Sequence, residues 1–162
     1  MNYRIGQGID THQLEEGTPL IIGGVLIPFH KGSQGHSDGD VLFHAIVDAI
    51  LGSLALGDIG QHFPSDESRW ENANSRKFLY HAFTLMTEKG FSIVNVDATI
   101  ILQDPKLKFH ILQMRKNIAD ILSADLDQIS VKATTTDKMG FIGKGKGIAA
   151  TAVVLILDNN GS

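Results

Sequence analysis

The apolar positions of this chain change their period several times, and each change marks an element. Near the start, polar and apolar residues alternate with period two. Ile5, Gln7, Ile9 and Thr11 fall on one side and Arg4, Gly6, Gly8, Asp10 and His12 on the other, which predicts a strand over 3–12. Two short apolar runs around Gly23-Gly24 predict a hairpin over 20–28, followed by a loop over 30–35. The period then becomes helical. Val41, Leu42, Ala45, Ile46, Ala49, Ile50 and Leu54 predict a helix over 38–56, with Asp38 as its N-cap and Gly57 and Gly60 at its end. Phe78, Leu79, Ala82, Phe83, Leu85 and Met86 form the inward stripe of a second helix, from 74 or 75 to 89 and closed by Gly90. A strand follows over 91–102. A third helix is expected to start at Asp104-Pro105 and run to 123, with Ile111, Leu112, Met114, Ile118 and Leu122 facing in. Strands over 129–136 and 148–157 close the chain, separated by a glycine-lysine loop over 140–147.

This order predicts an α/β fold, an α+β sandwich in which a mixed β-sheet carries its helices on one face. Residues 1–158 read as a single domain and 159–162 as a frayed tail. No helices remain to cover the second sheet face, so oligomerisation is expected to bury it.

Composition narrows the function classes. With 162 residues, 43% hydrophobic and 20% charged, the chain can bury an ordinary one-domain core. A formal net charge of −4 and no large basic run disfavour sequence-independent nucleic-acid binding. The chain has no cysteine, so any metal must take histidine and carboxylate ligands. No targeting or membrane-spanning segment is visible, and a cytoplasmic location is expected.

Asp10 and His12 lie two apart on a strand and point to one side. His44 lies on the first helix, with Asp40 and Asp48 at i−4 and i+4, where a carboxylate would orient the ring. Two imidazoles and a carboxylate suit zinc and leave its fourth position open. Three uses fit: binding a phosphoryl oxygen while an internal nucleophile attacks phosphorus, making hydroxide for hydrolysis, or a site that is structural or absent, with the histidines merely satisfied. Two hydroxyl-bearing segments, His36-Ser37 and Thr134-Thr135-Thr136, lean towards the first, because they can stabilise charge on a phosphoryl group. Asp137 beside the threonines suits magnesium. Asp58, Asp66 and Glu67 suit the hydroxyls of a polyol, or are simply a solvated acidic loop. Lys106, Lys108, Arg115 and Lys116 give the first half of the third helix a basic bias, where lysines could meet a phosphate or simply form a solvated face. His81 reads as a surface or satisfied histidine.

Taken together, Gly8-Ile9-Asp10-Thr11-His12, Gly35-His36-Ser37-Asp38-Gly39-Asp40-Val41 with His44, Leu56-Gly57-Asp58-Ile59-Gly60 with Phe63-Pro64, Asn95-Val96-Asp97, and Val131-Lys132-Ala133-Thr134-Thr135-Thr136 with Gly140-Phe141 are specific. In this order the chain resembles the 2-C-methyl-D-erythritol 2,4-cyclodiphosphate synthase family over nearly its whole length. The resemblance implies a homotrimer in which the sheets of three subunits face each other and the active sites lie between neighbours. It implies zinc, or another divalent cation, on Asp10, His12 and His44, and magnesium or manganese on the substrate diphosphate near Asp137. His36 and Thr135 are then the catalytic residues. His36, Ser37, Asp58, Ile59, Gly60, Phe63, Pro64, Ser65, Asp66 and Glu67 would hold the methylerythritol phosphate. Leu102, Gln103, Asp104, Pro105, Lys106, Leu107, Lys108, Thr134, Thr135, Thr136 and Asp137 would hold the cytidine and diphosphate, and Phe141 and Lys144 join the binding residues. The chain departs from the family in having Asp137 where members often have Glu, Lys144 for Arg, and Lys146 and Thr151 for Glu. The family associates the arginine and a glutamate with isoprenoid diphosphate in a central trimer cavity. Lys144 keeps the charge but lacks the planar fork, which counts against that ligand here.

Overall fold

The computed structural model describes residues 2–35, 37–70 and 73–160. The opening alternation extends further than expected, as one long strand, β1 (Tyr3–Glu16). The glycine pair makes its own small sheet, β2 (Leu20–Ile22) with β3 (Val25–Ile27). The expected loop over 30–35 contains a short strand, β4 (Lys31–Ser33), which pairs antiparallel with the end of β1. Then come α1 (Val41–Ser53), α2 (Ile59–His62), α3 (Arg76–Glu88), β5 (Phe91–Ile101), α4 (Ile111–Leu122), β6 (Ile129–Thr134), α5 (Gly140–Gly143) and β7 (Gly147–Asp158). The main sheet has the order β4-β1-β7-β5-β6. All its pairings are antiparallel except β5 with β6. It is therefore a mixed sheet, as expected.

Nine of the thirteen residues of α1 are apolar and eleven are buried, so it offers little surface to water. It lies buried between the sheet, where it packs on β1 and β7, and α3. Phe43, Ile46, Ile50, Leu79, Met86, Ile100, Met114 and Ile118 fill the interior. Among the described residues no helix covers the opposite sheet face: Ile5 is 70% and Ile9 64% exposed on β1, with Val153 partly exposed on β7.

Three local expectations are corrected. The N-cap of α1 is Asp40, not Asp38, because the Asp40 carboxylate accepts from Phe43 N and its backbone is extended. The same carboxylate accepts from Gly23 N at 2.9 Å and Gly24 N at 2.7 Å, fastening the β2–β3 turn to the start of α1. Burial pushes Asp40 up to about 6, against the pull of those three N–H groups. α1 also ends at Ser53, because Ala55 and Gly57 take positive φ. Finally, α4 begins at Ile111 rather than at Asp104-Pro105. Residues 104–110 instead form turns ending in a His110 N to Leu107 O bond. Lys106 and Lys108 thus precede the helix. Arg115, on it, donates to Ile129 O and Leu126 O, a structural tie rather than an anion contact.

Beyond β7, Asn159 N donates to Gly90 O and Ser92 Oγ to Asn159 Oδ1. No helix among the described residues is long and apolar enough to cross a membrane.

Candidate metal centre and adjoining clefts

Gly6 and Gly8 set how closely β1 approaches α1. A Cβ at Gly8 would lie 1.9 Å from Ala45 O, and one at Gly6 1.9 Å from Ala49 O. The strand therefore lies directly on the helix backbone. That contact brings Asp10 and His12, near the middle of β1, against His44 on α1. The Asp10 Oδ2 oxygen is 2.7 Å from His12 Nε2 and 3.1 Å from His44 Nδ1, and the two ring nitrogens are 3.2 Å apart.

The outer nitrogens determine which ring atoms carry protons. His12 Nδ1 is 3.1 Å from Gln34 O, which can only accept, so Nδ1 carries the hydrogen and Nε2 turns a lone pair inward. His44 Nε2 is 2.8 Å from Ser75 Oγ, and the Ser75 hydroxyl donates to the Asp38 carboxylate. Its oxygen must then accept from His44 Nε2–H, leaving His44 Nδ1 unprotonated and pointing inward. Two lone pairs and a carboxylate oxygen facing one point require positive charge between them. A proton or a metal ion meets that requirement, and among the described residues this is the one cluster of three or more such side chains that could hold a metal. The electrostatics agree. Burial would raise Asp10, but the hydrogen bonds and charges of His12 and His44 outweigh it and hold the carboxyl well below the usual range. Burial would lower His12, yet Asp10 holds it above the ordinary imidazole value.

The expected orienting role of Asp40 and Asp48 is overturned. Asp40 is spent on three backbone N–H groups, as described above. Asp48 Oδ1 accepts from Ile59 N at 2.7 Å, and burial raises its carboxyl. The ring nitrogen facing away from the ligands meets Ser75 Oγ instead. A serine just before a helix reads from sequence as a cap, and no other signal marks it.

The three ligands stand on the wall of a cavity of about 330 Å³, with Ser37, Ile59, Gly60, Phe63, Ser65, Trp70 and Phe78. Phe63 packs on Phe78 at 4.3 Å between ring centroids and on Trp70 at 5.0 Å, giving the cavity an apolar side that adjoins His44 through Phe78. Ser37 Oγ is 3.2 Å from His44 Nε2. Asp58 is the N-cap of α2, accepting from Gln61 N, and Glu67 pairs with Arg69; neither lines the cavity, nor do Pro64 and Asp66. His36 lies outside the described residues. His81 is tied to His62 across 3.3 Å and borders Phe63.

A second cleft, of about 270 Å³, gathers Leu102, Pro105, Lys106, Leu107, Lys108 and Thr135 beside β6. Gln103 accepts from Lys138 N, Thr136 Oγ1 donates to Met139 O, and Thr135 and Asp137 bond each other. Asp137 belongs to no cluster of metal-ligating side chains among the described residues. Phe141 lines a third cleft with His12, Lys31 and Lys146, and Lys144 does not line it. The first two clefts share no lining residue.

A YgbB family model matches residues 3–157. The 2-C-methyl-D-erythritol 2,4-cyclodiphosphate synthase of Geobacillus kaustophilus is 56% identical, over 95% of this chain and 98% of that protein. Among solved structures, the IspF–CDP complex of Plasmodium falciparum matches with a TM-score of 0.87 and 41% identity over 98% of both chains. The bifunctional IspDF of Campylobacter jejuni matches with a TM-score of 0.93 and 42% identity over 99% of this chain, which spans 44% of that longer one. By the family model and these relatives, the chain belongs to the YgbB family, the 2-C-methyl-D-erythritol 2,4-cyclodiphosphate synthases, and is an enzyme of that lyase class.

Proposed function

We propose that this chain converts 4-diphosphocytidyl-2-C-methyl-D-erythritol 2-phosphate into 2-C-methyl-D-erythritol 2,4-cyclodiphosphate and CMP, in the cytoplasm, as a step of non-mevalonate isoprenoid precursor synthesis. The observation that carries this reading is the convergence of Asp10 Oδ2, His12 Nε2 and His44 Nδ1 on the wall of a cavity that also has an apolar side. An oxygen of the 2-phosphate bonds to the β-phosphorus of the same molecule, and the bond from that phosphorus to the CMP oxygen breaks. The nucleophile is tethered to its electrophile, so the chain has to orient the two ends rather than supply an attacking group. Zinc bound by the triad would supply Lewis-acid neutralisation of phosphoryl charge. Magnesium or manganese near Asp137 would do the same for the diphosphate.

Ser37, Ile59, Gly60, Phe63 and Ser65 form the wall that takes the methylerythritol phosphate, with Asp58, Pro64, Asp66 and Glu67 on the same segment. The apolar rings suit its methyl group and carbon chain. Lys106, Lys108 and Thr135 make the 270 Å³ cleft suited to the cytidine and diphosphate, with Gln103, Asp104, Thr134 and Thr136 around it. His36 and Thr135 donate to the phosphoryl group in transfer. Two relatives have structures with CDP bound, which supports a cytidine ligand.

Incubation with this substrate, with and without a chelator, followed by phosphorus NMR, tests the reading. The expected products are CMP and a cyclic diphosphate, formed only with metal. CMP with a linear bisphosphate would instead make the enzyme a hydrolase.

The active unit is a homotrimer. Separate clefts on one chain suit a site completed by a neighbour, and the bare sheet face offers the surface. Ile5 aligns with Leu155, and Ile9 with Thr151 and then Thr99, across β1, β7 and β5. Ile9→Asp would place a charge in that buried contact. It is expected to convert a trimer to monomers in light scattering and to abolish turnover. An unchanged mass would move the interface elsewhere.

A further inference from the structure

Behind His44, on the side away from the ligand cluster, two residues form a connected unit that the reaction chemistry leaves unassigned. Ser75 is fully buried and precedes α3, where a serine hydroxyl normally caps the helix. Here it makes no cap bond. It is turned away from its helix, donating to Asp38 Oδ1 and accepting from His44 Nε2. Asp38 also accepts from Ser75 N at 3.0 Å through Oδ2, and Asp38 N donates to Ala73 O at 3.0 Å. Ser37 Oγ lies 3.4 Å from Ser75 Oγ and accepts from Gly39 N. The loop between β4 and α1 is thus latched at both the backbone and the side chain of Asp38 to the start of α3, and the latch ends on a ligand imidazole.

We propose that Asp38 and Ser75 are positioning residues for the metal centre, holding His44 in its Nε2–H tautomer and coupling metal affinity to the placement of the loop that carries Ser37. The inference rests on the reading of Asp10, His12 and His44 as metal ligands. Its physical basis is a competition between two tautomers. With Nε2 protonated, His44 donates to Ser75 and offers Nδ1 to a metal. With Nδ1 protonated, it would donate to Asp10 Oδ2, 3.1 Å away, and block the site. The carboxylate of Asp38, acting through the Ser75 hydroxyl, favours the first state and raises the basicity of Nδ1. Ser37 alone, at 3.2 Å from the same nitrogen, is a longer and neutral partner.

The test uses the full chain with zinc as probe, in the parent protein and in Ser75→Ala, Ser75→Thr and Asp38→Asn. Zinc affinity is read by chelator competition. In parallel, the His44 tautomer of the metal-free protein is read by long-range proton–nitrogen NMR correlation. Ser75→Ala and Asp38→Asn are expected to weaken zinc about 10- to 100-fold and to shift His44 towards Nδ1–H. Ser75→Thr, which keeps the hydroxyl, is expected to restore the Nε2–H tautomer. A merely structural serine would leave the tautomer unmoved, so zinc affinity within threefold of the parent, or weaker zinc with an unaltered tautomer, overturns the proposal. If the parent binds no zinc, the metal reading fails by itself, while the tautomer measurement still decides what Ser75 does.

Discussion

Replacing His12 by alanine is expected to abolish stable metal binding and to lower turnover about a thousandfold or more, because Lewis-acid stabilisation of a phosphoryl group is worth several kcal/mol. His12 is the cleanest member of the triad to remove. His44 lies in the interior against Phe78, and its loss would leave a void beside the core. Asp10 balances both imidazoles, and its loss would set two ring nitrogens against each other at 3.2 Å. His12 stands at the cavity edge, and its outer nitrogen bonds only the Gln34 carbonyl. Its removal should therefore disturb the fold of the metal-free protein less than removal of His44 or Asp10, because Asp10 keeps His44 as a partner at 3.1 Å. Metal content by elemental analysis and CMP release measured on one preparation check this. Parent-like CMP release from a metal-free His12→Ala protein would end the case for metal-assisted cyclisation.

The triad was legible in the sequence because each ligand falls on a strongly periodic element. Period two puts Asp10 and His12 on one side of β1, and period 3.6 puts His44 on a helix whose apolar positions must be buried. The long elements were legible for the same reason. The orientation of His44 was not. Asp40 and Asp48 have the right spacing on the helix, but spacing cannot show that backbone N–H groups of the β2–β3 turn and of α2 claim them first. Nor can it show that Ser75, 31 residues away in sequence, takes their place. The start of α4 was misplaced because a proline suits the first turn of a helix and also a turn preceding one, and residues 104–110 take the second course. β4 was missed because Lys31-Gly32-Ser33 has no apolar pattern. Pairing with the overlong end of β1 makes it a strand.

Gly8→Ala is expected to destabilise the fold by about 3 kcal/mol or more, at or beyond the upper end of ordinary overpacking, and to impair the metal site although the nearest ligand, Asp10, lies two residues further along β1. The added methyl carbon would sit 1.9 Å from Ala45 O and 2.8 Å from Ala49 N. Both are backbone atoms of α1, so no side-chain rotation relieves the clash. β1 must lift from the helix, and it carries Asp10 and His12 with it, while His44 remains on α1. A shift of a few tenths of an ångström is enough to spoil ligand distances that hold within narrow limits. Gly17→Ala is the internal comparison. Its φ of +78° strains any L-residue, but nothing lies within 4 Å of the added carbon. It should cost only about 1–2 kcal/mol and leave zinc affinity unchanged. Urea unfolding of both metal-free variants, with zinc titration of each, measures the two effects separately. A Gly8→Ala protein with parent stability and parent zinc affinity would mean that β1 and α1 do not hold the two halves of the site at a fixed separation.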